Sequence, residues 1–90
     1  MSIIQRIRQK IQQRNYYLSS HAEDEMLEDQ LDRIDIEYAI LKGRVERKLT
    51  KDIKGTRYRI EGTTKDGRRI HVVCRFAEDG NLVIITVYAL

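Results

Sequence analysis

Two histidines and a set of arginines are the side chains best suited to chemistry in this chain of 90 residues. The runs "RYRIEG" and "RRIHVVCRF" both alternate with the period of a strand. If they pair as neighbours, Arg57, Arg59, Glu61, Arg69, His71 and Arg75 share one face. Guanidinium groups hold phosphate oxygens in pairs and keep their charge. Histidine gives and takes protons near neutral pH. Such a set suits cleavage of RNA by attack of its own 2′-hydroxyl, a reaction that needs a base, an acid and cations but no metal or other cofactor. The plain alternative is that these residues are only the wet side of a half-buried sheet.

The second histidine stands in "SSHAEDEM", Ser19 to Met26. Ser20 and Glu23 have capping-box spacing, which places His21 at the first helical position and Glu25 one turn later on the same face. His21 is either a proton-transfer group oriented by Glu25 or a helix-start residue bonded to Glu25 or to backbone. Metal binding has little support. His71 and Cys74, three apart on a strand, point to opposite faces, and His21 with Glu25 lacks a third ligand. The same register buries Cys74, which argues against a thiol nucleophile, and no glycine-rich phosphate loop is present.

The net charge of +3 is strongly segregated. Residues 1–20 carry four basic groups and no acid, residues 21–37 carry eight acids against Arg33, and residues 38–90 carry twelve basic groups against six acids. The blocks are therefore +4, −7 and +6. An anionic partner would meet one surface only. With 41% hydrophobic and 34% charged residues, one cysteine and no apolar run near the roughly 20 residues of a bilayer span, a soluble cytoplasmic protein without membrane contact is expected.

The elements that must position these groups are legible by period. Ile3, Ile4, Ile7 and Ile11 predict an amphipathic helix over residues 2–14, docked on the domain or on a second copy. A second helix follows Ser20, with Ala22 and Met26 turned to the core. Asp32 and Asp35 form the capping box of a third, Leu31 and Ile36 its hydrophobic staple, and Gly43 its left-handed terminator. From Arg44 the period becomes two, with Val45 and Leu49 on one side of "RVERKL". Asp66-Gly67 and Asp79-Gly80 mark hairpins. A three-residue loop, Lys65 to Gly67, pairs Thr64 with Arg68 and sets Tyr58, Ile60 and Gly62 opposite Cys74, Val72 and Ile70. The last strand, "NLVIITVY", is apolar on both faces, so the side taken by Thr86 and Tyr88 stays open. The expected fold is one α+β domain: an N-terminal helix over residues 1–15, then a core over 16–90 ending in a four-stranded antiparallel meander.

"LSSHAEDEM", "LDRIDIEYAILKG", "GTRYRIEG", "TKDGRRIHVV" and "LVIITVY", in this order, resemble the family of domain of unknown function 4258 from about Tyr17 to Tyr88. Many members of that family have arginine where this chain has Glu25. The layout is also similar to that of RelE/ParE-like toxins, several of which are metal-independent ribonucleases silenced by a small antitoxin. The resemblance implies His21, Glu25 and His71 as catalytic candidates and Arg57 and Arg68, with Arg69 in reserve, as phosphate or RNA ligands. Thr86 and Tyr88 are further matching positions. It also implies RNA or the ribosome and a small antitoxin as partners. The rival expectation is a non-catalytic interaction module, a homodimer joined through the isoleucine helix or the last strand.

Overall fold

Three helices and five strands are seen in a computed structural model of the chain, which describes residues 1–50, 53 and 55–90. Ser2 and Gln5 form a capping box that opens α1, Ile3–Gln12. Ile7 and Ile11 of α1 are buried, with Ile3 and Ile4 packed partly against the same core. The isoleucine helix is thus seated on its own chain, against α3 and β5. After it come β1, Tyr16–Leu18, and α2, Ser20–Glu28; then α3, Arg33–Lys42, and β2, Arg44–Leu49. The chain ends with β3, Arg57–Thr63, β4, Arg69–Phe76, and β5, Leu82–Ala89.

The sheet order is β1-β5-β4-β3-β2. Strands β2 to β5 form the expected antiparallel meander, but β1 adds a fifth strand parallel to β5 and makes the sheet mixed. The expectation of four antiparallel strands is corrected here. Three residues are too few to display an alternation, and Tyr16–Leu18 is made a strand by pairing with β5. Its Tyr16 ring is buried against α3, where the hydroxyl donates to Glu37 at 2.5 Å. Burial first, and Glu37 next, push the Tyr16 hydroxyl pKa up.

The β3–β4 register is as expected, with Tyr58, Ile60 and Gly62 opposite Cys74, Val72 and Ile70. The backbone N–H of Thr64 donates to the Arg68 carbonyl, and Gly67 adopts φ 90° in the loop. Asp32 and Asp35 cap α3 reciprocally, as their spacing predicts. Three local expectations fail. Ser19 rather than Ser20 caps α2, which moves His21 to the second helical position, because Ser19 is already anchored to β5. Gly43 follows α3 with extended backbone, φ −90° and ψ −166°, and is needed for space. A Cβ there would lie 2.5 Å from the Ala39 carbonyl oxygen. A bulge between Val45 and Arg47 puts Val45 beside core-facing Ile60 and Leu49 beside Arg57 on the opposite side.

Helix α3 rests on β3 where side chains vanish. A Cβ on Gly62 would lie 2.7 Å from the Ala39 carbonyl carbon. Backbone blocks it, so rotamer changes cannot relieve the clash. Gly62→Ala should therefore lower stability by roughly 1–3 kcal/mol, the usual cost of overpacking, read as a reduced urea midpoint. Ile7→Ala should cost roughly 2–5 kcal/mol in the same assay, and Ile3→Ala clearly less.

Candidate functional site on the outer sheet face

Leu82 and Ile84 of β5 face the core opposite Phe76 and Cys74. The register then shifts: Cys74 pairs with Ile84 and Val73 with Thr86, which leaves Ile85 as an extra residue. A bulge re-aims the residues beyond it. Thr86 and Tyr88 consequently share the outer face with Val73 and His71, which settles their orientation. The bulge is pinned from β1 and α2, since the Ser19 hydroxyl donates to the Ile85 carbonyl at 2.7 Å and the Ser19 N–H donates to Ile84 at 3.0 Å.

His71 is held on both ring nitrogens. Nδ1 is 3.0 Å from the Tyr88 hydroxyl and Nε2 is 3.2 Å from Glu61 Oε1. With Nε2–H donating to Glu61, Nδ1 is left to accept from Tyr88. The two rings meet edge to face, and only 11% of the His71 side chain is exposed. The hydrogen bond from His71, followed by Arg44 and Arg69, holds the Glu61 carboxyl below its ordinary range. On the other side of Tyr88, Arg59 Nε donates to Glu46 at 2.6 Å. Glu46 first, and Tyr88 further down, raise the Arg59 pKa. A polar row thus runs Glu46, Arg59, Tyr88, His71, Glu61.

Helix α2 brings its own pair to that row. Ala22 and Met26 are buried, and their helical neighbours Glu25 and Asp29 face the β5 backbone. Glu25 accepts from the Val87 N–H at 3.0 Å and from the Thr86 hydroxyl, and Asp29 accepts from the Ala89 N–H at 3.2 Å. His21 Nε2 lies 3.4 Å from the same Glu25 oxygen, with 69% of its side chain exposed. His21 is therefore open to solvent, tethered by Glu25 to Thr86, two residues from Tyr88. Neither Tyr16 nor Tyr17 supplies a polar contact to it.

The face is rich in cations. Arg44, Arg47, Arg57, Arg59, Arg69 and Arg75 share it with Glu46 and Glu61. Arg47 stands directly opposite Arg59, an arrangement that disfavours folding unless a counter-charge intervenes. Arg57 flanks Arg59 two residues along β3, and Arg69 sits at the far end against Glu61. Arg68 stands apart. Its guanidinium is divided among Asp66, Asp35 and the Asp29 carbonyl, joining the β3–β4 loop to the α2–α3 corner. Arg59 is the arginine that stands beside Tyr88 within the row.

A family model described as Domain of unknown function (DUF4258) matches residues 18–89. The chain belongs to this family. Every polar residue of the row lies within the DUF4258 match, whereas α1 and the first two residues of β1 precede it. Searches of curated proteins and of solved structures give no match.

Two outcomes follow from this geometry. Glu25→Ala should leave the Val87 N–H without its acceptor, lower stability by about 1–3 kcal/mol and speed hydrogen exchange at Val87 more than at Val72. The depressed Glu61 carboxyl contributes stability that is present above 4.5, its ordinary pKa, and is lost as pH falls through the lowered folded value. The advantage of the wild type over Glu61→Gln in urea midpoint should thus shrink below about pH 4.5.

Proposed function

We propose that the outer sheet face, with the exposed edge of α2, binds RNA and cleaves it without a metal, as a RelE-like toxin would. The observation that carries this reading is the junction on β5. Thr86 ties to the His21–Glu25 pair and Tyr88 to the His71–Glu61 pair, so two histidines on different elements flank one short stretch of strand. The arginines beside them supply charge for a phosphodiester. The helices that precede the meander β2 to β5 also fit a RelE/ParE-like layout.

In the reaction, the 2′-oxygen attacks the adjacent phosphorus and the P–O5′ bond breaks, leaving a 2′,3′-cyclic phosphate. One histidine takes the 2′-hydroxyl proton and the other gives a proton to the departing 5′-oxygen. His21, exposed and held by Glu25, suits exchange with a substrate atom. His71, its ring fixed by Glu61, exchanges its proton with substrate through the Tyr88 hydroxyl that its Nδ1 bonds. Arg59 and Arg57 stabilise the negative charge that accumulates on the non-bridging phosphoryl oxygens. A small acidic antitoxin would complement such a face.

A second reading, a non-catalytic interaction module, draws on Leu27 and Ile34, which are exposed within the acidic segment. It does not call on the isoleucine helix, whose Ile7 and Ile11 are buried in the chain's own core.

The deciding assay is cleavage of a generic RNA in excess EDTA, free and on translating ribosomes. Wild type should cleave, and His21→Ala and His71→Ala should each lose roughly 10²–10⁴-fold. Equal activity in all three, or none from a folded wild type on either substrate, would overturn the ribonuclease reading.

A further inference from the structure

Where α3 meets the start of β2 and the end of β3, at the margin of the outer face, the chain forms a recess of about 550 Å³. Gly43 and Gly62, where α3 and β3 approach too closely for a side chain, are among its lining residues. Tyr38 of α3 forms one wall, and Lys42, Arg44 and Arg69 stand at the rim. The Lys65 ammonium adds a cation 5.7 Å from the centre of the Tyr38 ring. Arg44 and Arg69 both reach Glu61, which in turn reaches His71, so the recess is continuous with the polar row.

We infer that this recess is a subsite for a neighbouring nucleotide of the RNA, with its base against Tyr38 and its phosphate on Lys42, Arg44 and Arg69. The inference rests on the ribonuclease reading and names where the strand runs once it leaves the histidines. The volume falls in the range of small-ligand sites. An aromatic wall beside cations is the arrangement that binds single strands with little regard to sequence. Charge agrees. Lys42, Arg44 and Arg69 face Glu61 alone among the lining side chains, leaving two positive charges, which outweigh the roughly half negative charge at the C-terminus of α3. Arg44 and Arg69 each engage Glu61 through one terminal nitrogen, so further guanidinium donors remain for phosphate oxygens.

The test uses the full chain and fluorescent 2′-O-methyl oligoribonucleotides of two, four and six nucleotides, which lack the attacking hydroxyl. Wild-type affinity should rise with length. Tyr38→Leu and Lys42→Gln should remove most of that rise, roughly tenfold at six nucleotides, while cleavage of a dinucleotide substrate stays at the wild-type rate. Lys42→Gln, at an exposed position, should also flatten the salt dependence by about 0.7 in log–log slope. Variants that bind the long oligonucleotides as wild type does, from an enzyme that still cleaves RNA, would overturn the subsite and leave the ribonuclease reading standing. A folded wild type that neither binds these oligonucleotides nor cleaves RNA would overturn both.

Discussion

The candidate site depends on one hydrogen bond, from the Ser19 hydroxyl to the Ile85 carbonyl. Ile85 is the extra residue of a bulge, and side chains along a strand alternate faces, so one added residue moves everything after it to the other side. Without it, Thr86 and Tyr88 would lie on the core face and Val87 on the outer one. His71 would lose its hydroxyl partner and Glu25 its contact with Thr86. Ser19 also caps α2 through the Ala22 N–H. A single serine therefore fixes the strand that carries Tyr88 and the helix that carries His21.

The second constraint is steric and sits on the other side of the sheet. Gly43 and Gly62 let the Ala39 backbone come down onto β3, which brings α3 close enough to bury Ile36 and Ile40 against Ile60 and Ile70. The glycines matter here for volume, since neither has a left-handed backbone. Among the described residues, the left-handed ones outside glycine are Arg14 and Gln30, in the turns that follow α1 and α2. The closeness of helix to sheet is what leaves the recess beside Glu61.

Much of this was legible in residue types. The loop from Lys65 to Gly67 admitted one register that kept Arg57 and Arg59 out of the core, and β3 and β4 adopt it. Asp32 with Asp35, and the spacing of the isoleucines in α1, behave as side-chain chemistry dictates. What sequence could not show was set by backbone between distant segments. Tyr16–Leu18 is a strand only because β5 offers it an edge. The bulges at Glu46 and Ile85 contain no glycine and sit in runs that otherwise alternate or are wholly apolar. Between two adjacent serines, the choice of cap was made by the Ile85 carbonyl, far along the chain. Arg68 and Arg69 are neighbours in sequence, yet the hairpin sends one to the α2–α3 corner and the other to the outer face.

Helix α2 also has a consequence for how copies of this chain meet. A sheet normally ends in a row of unmet N–H and C=O groups, an invitation to pair with another chain. Here β1 covers the first part of β5, and beyond it the carboxylates of Glu25 and Asp29 take the N–H groups of Val87 and Ala89. At the opposite margin, β2 is bent by its bulge and carries Arg44, Arg47 and Lys48. Neither margin is a good template for strand addition. The protein can thus keep a hydrophobic last strand without seeding ordered aggregates, and a partner that docks on it is left to recognise side chains rather than extend the sheet.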